Sequence, residues 1–203
     1  MVRVTRALLV RAWRVAGFLL VVAAEIHLVV VLGDRFVPAD HYSYFTIESN
    51  LFAALVLLAG AFRPVPAPVR GAAVLYLVTT GIVYAVLLRG VDVQTPEFAN
   101  FALHSAMPLL VAVDWLADPP RTRLRGGHVL WWLVFPLAYV AYTLVRGSVV
   151  GWYPYPFLDP AQGGYGQVAA MSLFVACTIG VLAVVVAGVG NRMGSSSRVS
   201  EPR

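Results

Sequence analysis

Residues Val168 to Val189 read VAAMSLFVACTIGVLAVVVAGV and contain no charged side chain. A helix needs about 20 predominantly apolar residues to cross the hydrocarbon core of a bilayer, so this stretch predicts a transmembrane helix. Further apolar stretches of comparable length precede it in the chain. The six predicted membrane helices run from Ala12 to Leu32, Phe45 to Phe62, Gly71 to Leu88, Ala99 to Leu116, Val129 to Val145 and Val168 to Val189.

The composition of the whole chain agrees with a membrane protein. Of its 203 residues, 60% are hydrophobic and only 12% are charged, whereas soluble domains carry roughly 25% charged residues. The mean hydropathy is +0.78. So few charges cannot cover the surface of a soluble enzyme, and so many apolar residues exclude a disordered chain. A single cysteine, Cys177, excludes a disulfide-built domain and a multi-cysteine metal site.

The arginines predict the orientation in the membrane. All fifteen basic residues are Arg, and they cluster between the apolar stretches rather than in a dense basic stripe, so nucleic-acid binding is not expected. Twelve lie on the side that holds the N-terminus, and the other side has Arg35, Arg89 and Arg146. Because cytoplasmic loops carry the excess of Arg, both termini are predicted to be cytoplasmic, in the plasma membrane. Residues 1–190 would form an all-α six-helix transmembrane domain and residues 191–203 a disordered cytoplasmic tail.

Three predicted helices carry polar side chains in the membrane half opposite the termini. Such groups are costly in hydrocarbon, so they indicate a functional site. Thr46, Ser49 and Asn50 are spaced so that they share one helix face, as do Asn100 and His104. We expect these two faces to line one cavity. The polar residues are Glu25 and His27 in the first helix, Thr46, Glu48, Ser49 and Asn50 in the second, and Asn100, His104 and Ser105 in the fourth.

Thr46 and His104 are the predicted catalytic pair. A Thr hydroxyl attacks an acyl carbon only when a base takes its proton, and His has a suitable pKa for that role. Asn50 or Asn100 could donate to a developing oxyanion. Glu48 and Ser49 are further orienting candidates, and Glu25 is a weaker one. A water-poor pocket favours lipid or fatty acid esters as substrates, and no metal or cofactor is expected.

Other interpretations of the same residues stay open. Thr46 could be an N-cap of its helix, and His104 could make an ordinary interhelical hydrogen bond. His27 and His104 could ligate a haem between them. The cavity could serve a non-catalytic binder or transporter of an amphipathic molecule, or the polar groups could only hold helices together. Asp114 is expected to pair with an Arg in a loop.

An aromatic connection precedes the last helix. It contains Trp152, Tyr155, Phe157 and Asp159. Such residues are typical of the membrane interface, where they anchor a loop at the lipid headgroups. Because the connection is predicted to emerge on the side of Thr46 and His104, it could instead form a lid over the cavity.

Three segments together resemble a known family: Phe45 to Asn50, Asn100 to His104 followed by Pro108, and Tyr155 to Asp159. The chain looks like the androgen-induced protein family, which includes the androgen-dependent regulator of tissue factor pathway inhibitor, and especially its bacterial six-helix branch. The resemblance implies an intramembrane hydrolase of fatty acid esters of hydroxy fatty acids, with Thr46 as nucleophile, His104 as its partner and no metal. Pro108 follows His104 one residue sooner than in the eukaryotic pattern, so the substrate stays open.

Overall fold

A computed structural model describes residues 2–90 and 95–199, and every regular element in those ranges is helical. Six helices are long and apolar enough to cross a membrane, which confirms the predicted number of membrane helices. The short helices Gly33–Arg35, Pro38–His41 and Pro156–Leu158 lie in the connections. The long helices are α1 (Val2–Leu32), α2 (Phe45–Phe62), α3 (Ala67–Leu88), α4 (Glu97–Ala117), α5 (Gly126–Val150) and α6 (Pro160–Val199).

Several helices extend beyond the apolar stretches that predict them. Helix α5 continues to Val150 and ends at Gly151, whose φ of +70° is the left-handed conformation that glycine adopts without strain. Helix α6 begins at Pro160 and has non-helical backbone at Gly163 and Gly164. Hydropathy detects only the part of a helix that is apolar, whereas the backbone hydrogen bonds continue until glycine or proline interrupts them.

The C-terminal end of α6 differs from the expected disordered tail that starts at residue 191. Residues up to Val199 are helical, and residues 200–203 lie outside the described part of the chain. Asn191 explains why the helix continues: its side chain accepts a hydrogen bond from Leu124 N (2.8 Å) and donates one to Leu124 O (3.0 Å). Gly190 lies so close to Trp115 that a Cβ would collide with it. These contacts hold the end of α6 against the connection between α4 and α5.

Consecutive membrane helices run in alternate directions and give the bundle two ends. The loop end contains the start of α2, α4 and α6 and the connections 33–44 and 151–159. The terminal end contains the first turns of α1 and the connections 63–66 and 118–125. Buried apolar side chains from all six helices, among them Val21, Leu75 and Ala183, fill the space between the two ends.

An ion-pair cluster joins three helices at the terminal end. Arg14 Nε lies 2.7 Å from Asp114 Oδ1, and Arg14 Nη2 lies 2.6 Å from Asp118 Oδ2. Arg70 Nη2 lies 3.0 Å from Asp114 Oδ2. Asp114 therefore pairs with Arg70, which the sequence places in the loop before Gly71 and the structure places in the first turn of α3, and also with Arg14 of α1. These pairs form because α1, α3 and α4 pack together here, and the two arginines are balanced by the buried Asp114 and by Asp118, a partly exposed residue just beyond the end of α4.

Replacing Asp114 should destabilise the protein strongly. Asp114→Ala leaves Arg14 and Arg70 buried with one carboxylate fewer, and breaking a buried ion pair in this way costs about 3–5 kcal/mol. Reversible unfolding of the purified protein in mixed detergent micelles measures the free energy. Arg123→Ala, at an exposed position of the same end, should change it by less than about 0.5 kcal/mol. Equal stability of Asp114→Ala and the unchanged protein would contradict the structural role of this cluster.

Candidate active site

Thr46 is the second residue of α2 and is 6% exposed. Tyr44 occupies the N-cap position, and no side chain caps the helix. The Thr46 hydroxyl instead lies 3.3 Å from His104 Nε2 on α4 and 3.2 Å from the Tyr155 hydroxyl. The N-cap interpretation of Thr46 is therefore wrong, and the predicted pair, Thr46 and His104, lies within hydrogen-bonding distance.

The hydrogen bonds of His104 define which ring nitrogen carries the proton. Nδ1 lies 3.2 Å from the carbonyl oxygen of Asn100. A carbonyl can only accept, so Nδ1 carries the hydrogen, and in the neutral imidazole Nε2 is then an acceptor. The Thr46 hydroxyl faces this acceptor and donates to it. His104 is thus held in the tautomer that a general base for Thr46 requires.

His104 lies in a π-helical turn, Ala102–Ala106, within α4. Pro108 explains the wide turn, because a proline ring collides with the carbonyl of the residue four positions earlier, here His104. A glycine on α3 accommodates the altered backbone: a Cβ on Gly81 would lie 3.3 Å from His104 O and 3.2 Å from Pro108 Cβ. Turns of this kind occur frequently at functional sites.

Tyr155 completes the hydrogen bonds of Thr46. The backbone N–H of Thr46, which has no partner within the first turn of α2, donates to the Tyr155 oxygen at 3.2 Å. The phenol hydrogen is then free to donate to Thr46 Oγ1, and the Thr46 hydrogen points to His104. Burial raises the pKa of Tyr155 to about 12, so the phenol keeps its proton near neutral pH. These bonds run in one direction, from Tyr155 through Thr46 to His104.

The two asparagines hold the site together rather than point into it. Asn50 Nδ2 donates to Thr46 O at 2.8 Å and to Leu103 O at 3.2 Å, which uses both of its hydrogens. The expectation that Asn50 donates to an oxyanion is therefore corrected: its amide links α2 to α4. Asn100 Nδ2 donates to the Tyr84 hydroxyl at 2.5 Å. The Tyr84 ring stacks on His104 with centroids 4.3 Å apart, a contact that nothing in the sequence pattern predicts.

Ser49 and Glu48 lie outside this chain of hydrogen bonds. Ser49 is fully buried, and its hydroxyl has no hydrogen-bond partner among the described residues. Glu48 is half-buried. Neither side chain contacts Thr46 Oγ1 or His104 by a hydrogen bond, so the predicted orienting role has no geometric support at these two positions.

The polar residues of α1 lie apart from Thr46. Glu25 Oε2 pairs with His41 Nε2 at 2.7 Å, so His41, which the sequence did not single out, holds the Glu25 carboxylate. The His27 ring packs edge-on against Phe98 with centroids 5.3 Å apart. His27 and His104 therefore make separate contacts, and these contacts do not support the haem interpretation. No group of three His, Cys, Asp or Glu suited to a metal ion occurs in the described ranges.

The connection that precedes α2 is fixed to its neighbours and so positions Thr46. The Tyr139 hydroxyl of α5 donates to Ser43 O at 2.9 Å. Arg146 Nη2 lies 2.6 Å from Asp40 Oδ1. Together with the pair of Glu25 and His41, these contacts hold residues 36–44 against α1 and α5.

The aromatic connection 151–159 covers the loop end of the site. Tyr155 and Phe157 stack in parallel with centroids 5.2 Å apart. Trp152 packs edge-on against Tyr44 and lies beneath the Arg146 guanidinium. Asp159 Oδ1 accepts a hydrogen bond from Ala161 N and supports the first turn of α6. Of the four residues predicted for this segment, Tyr155 is the one that is hydrogen-bonded to Thr46.

A largely apolar cavity adjoins Thr46. The space between the surrounding side chains, together with the open mouth, is about 560 Å³. It lies between α2, α3, α5 and α6, and at the loop end it is bounded by Phe45, Thr46, Tyr155, Phe157 and Leu158. His104 lies outside its lining. The Thr46 hydroxyl thus lies between the apolar cavity and the acceptor nitrogen of His104.

Comparison with models of known protein families, with curated proteins and with solved structures finds no match for this chain. The chemistry of the site is therefore inferred from its own side chains. A hydroxyl between a neutral imidazole acceptor and a phenol donor is suited to attack on a carbonyl carbon.

Removing the Tyr155 hydroxyl should loosen the connection 151–159. Tyr155→Phe keeps the ring but removes two hydrogen bonds to Thr46, each contributing about 0.5–1.5 kcal/mol. Amide hydrogen exchange in this connection should become roughly tenfold faster or more. Tyr165→Phe, at an exposed position of α6, is the matched control and should leave exchange unchanged. Equal exchange in both variants would argue against the Tyr155 contacts.

Proposed function

We propose that the protein is an intramembrane hydrolase of lipid or fatty acid esters, with Thr46 as nucleophile and His104 as general base. The observation that carries the proposal is the position of Thr46 Oγ1, 3.3 Å from His104 Nε2 and next to an apolar cavity. This distance is longer than an ideal hydrogen bond, as is common at catalytic sites without substrate.

The first half of the reaction forms an acyl-enzyme. Thr46 Oγ1 attacks the ester carbonyl carbon while its proton moves to His104 Nε2. The tetrahedral intermediate then collapses, the bond from the carbonyl carbon to the alcohol oxygen breaks, and His104 returns the proton to the departing alcohol. The acyl group remains esterified to Thr46.

The second half releases the acid. A water molecule attacks the acyl carbon and gives a proton to His104 Nε2, and the proton then passes to Thr46 Oγ1 as the bond from that oxygen to the acyl carbon breaks. The Asn100 carbonyl accepts from Nδ1–H throughout, so it stabilises the imidazolium that forms in each half.

Tyr155 is the side chain best placed to donate to the developing oxyanion. Its O–H already points to Thr46 Oγ1, and its proton is retained near neutral pH because burial raises its pKa. When Thr46 gives its oxygen to the acyl carbon, the same donor can turn to the carbonyl oxygen. The Asn50 amide is committed to two backbone carbonyls and is not available for this role.

The likeness to the bacterial branch of the androgen-induced protein family supports the same assignment. That family pairs a Thr at the start of the second helix with a His that follows an Asn by four positions, the pattern of Thr46, Asn100 and His104. We propose that the chain belongs to that family and that its site has the same origin.

We also propose that both termini face the cytoplasm and that the protein resides in the plasma membrane. The excess of arginines at the terminal end supports this orientation. The candidate site then lies in the outer leaflet. A C-terminal green fluorescent protein, which folds only in the cytoplasm, should fluoresce, and a fusion that stays dark while an alkaline phosphatase fusion is active would reverse the orientation.

Ester turnover should depend on the pair. With p-nitrophenyl esters in detergent micelles, Thr46→Ala should reduce hydrolysis to background and His104→Ala should reduce it by about 10²–10⁴-fold, the usual contribution of a general base. Thr46→Ser should retain activity because it keeps the hydroxyl. Thr178→Ala is the matched control, since this hydroxyl bonds only within its own exposed helix turn.

The opposite result would favour a binding role. If the folded protein hydrolyses no ester, or if Thr46→Ala hydrolyses as fast as the unchanged protein, Thr46 is not the nucleophile. The same cavity would then be assigned to a non-catalytic binder or transporter of an amphipathic molecule.

A further inference from the structure

We propose that Tyr84 of α3 is a positioning residue for the general base: it holds the His104 imidazole at the angle from which Nε2 meets the Thr46 hydroxyl. Tyr84 is not among the residues that line the cavity, so it acts on the reaction through His104 and Asn100. The inference rests on the proposed hydrolase function and adds a residue to it that the pattern of polar side chains does not reveal.

Tyr84 contacts both partners of the hydrogen bond that fixes the His104 tautomer. Its ring stacks on the imidazole, with centroids 4.3 Å apart and planes inclined by 25°. Its hydroxyl accepts a hydrogen bond from Asn100 Nδ2 at 2.5 Å. The backbone carbonyl of the same Asn100 accepts from His104 Nδ1 at 3.2 Å. One side chain therefore restrains the ring and also the residue that supplies the acceptor.

The imidazole needs such a restraint because the last torsion of a histidine side chain is soft. The two hydrogen bonds of the His104 ring measure 3.2 and 3.3 Å, longer than the usual distance of about 2.9–3.0 Å for N–H···O bonds. Rotation about this torsion would turn Nε2 away from Thr46. A ring stacked on the imidazole opposes the rotation, since the edge of the turning imidazole would collide with it.

The backbone of α3 explains how Tyr84 reaches the imidazole. Gly81 lies three positions earlier on the same helix face, and a Cβ there would lie 3.3 Å from His104 O. Because glycine has no Cβ, α3 and α4 approach closely at this point. Tyr84 also begins a π turn, Tyr84–Leu88, and its stack on His104 joins this turn to the π turn of α4. Turns of this kind occur frequently at functional sites.

A positioning role and a packing role lead to different kinetics. A tyrosine that only packs two helices contributes to stability, and its loss leaves the chemical step of the folded protein unchanged. Loss of a positioning contact misaligns the base, so kcat falls. KM changes little, because the substrate still binds beside Thr46.

The first measurement is the hydrolysis of p-nitrophenyl esters, with kcat expressed per folded protein after gel filtration. Tyr84→Leu removes both contacts and should lower kcat by about 10–100-fold, the effect of a misplaced catalytic group, with KM nearly unchanged. Tyr84→Phe keeps the stacked ring and should lose only about two- to tenfold, the equivalent of one neutral hydrogen bond. Tyr165→Leu, at an exposed position of α6, is the matched control and should leave kcat unchanged.

A double-variant cycle tests the link through Asn100. Asn100→Ala removes the amide that donates to Tyr84 but keeps the backbone carbonyl that accepts from His104. Tyr84→Phe and Asn100→Ala break the same hydrogen bond, so their combination should be no slower than the slower single variant. Losses in kcat that multiply in the double variant would show that the two side chains act independently, and would overturn the proposed link.

A second measurement does not depend on turnover. Nitrogen NMR of isotope-labelled histidine in micelles reports which ring nitrogen carries the hydrogen, and His104→Ala identifies the His104 signals among those of the four histidines. The unchanged protein should show a protonated Nδ1 and an acceptor Nε2. In Tyr84→Leu the two signals should move towards each other as both tautomers become populated. Tyr165→Leu should not move them.

The two measurements separate this proposal from the hydrolase function on which it rests. If Tyr84→Leu folds and keeps both the kcat and the tautomer of the unchanged protein, the proposal is overturned, while the assignment of Thr46 and His104 stands. If the unchanged protein hydrolyses no ester but the His104 signals move in Tyr84→Leu, the hydrolase function fails and the positioning of the imidazole by Tyr84 is supported. If Tyr84→Leu does not fold, the kcat of Tyr84→Phe decides: a loss supports the proposal, and an unchanged value overturns it.

Discussion

The hydrogen bond from His104 Nδ1–H to the carbonyl of Asn100 is the interaction on which the candidate site depends. It fixes the tautomer and aims Nε2 at Thr46. That bond lies where α4 widens into a π turn ahead of Pro108, and Gly81 leaves room on α3 for this backbone. Pro108 and Gly81, on adjacent helices, thus pack around the backbone that carries the imidazole. Replacing either changes the site without touching a reacting atom.

The bilayer explains why the polar groups gather at two levels of the bundle. Water is absent from the hydrocarbon core, so each buried polar group needs a partner within the protein. At the terminal end Arg14 and Arg70 pair with Asp114 and Asp118, and the cluster links three helices. At the loop end the bonds of Tyr155, Thr46 and His104 end on a backbone carbonyl. In the first arrangement the positive and negative charges balance and the side chains bond to one another. In the second the Thr46 hydroxyl is next to a cavity, where a substrate could reach it.

The fold could be predicted from the sequence to a large extent because the length of an apolar stretch alone indicates a membrane helix. Helix ends were less predictable: α6 begins at Pro160 and continues beyond Asn191. The residues after Asn191 are polar and do not indicate a membrane helix, but contacts with Leu124 and Trp115 hold this end of α6 in place. The sequence placed Thr46 and His104 at a similar depth, since both lie early in helices that start at the same end, but their contact could not be predicted from it. The full set of partners of Asp114, the partner of Glu25 and the role of Tyr155 could not be predicted either, because they depend on how the helices rotate and how the connections fold back. Asn50 lies on the same helix face as Thr46, yet its side-chain amide is directed by a hydrogen bond to the carbonyl of Leu103 on α4.

The central claim is that Thr46 carries an activated hydroxyl, and covalent labelling tests it most directly. Detergent-purified protein would be treated with a medium-chain alkyl fluorophosphonate, which phosphonylates activated hydroxyls irreversibly, and the modified residue identified by peptide mass spectrometry. We expect one adduct, on Thr46, which is lost in Thr46→Ala and in His104→Ala and retained in Thr178→Ala. An adduct on any other residue, or none on Thr46 while the folded protein hydrolyses esters, would contradict the account.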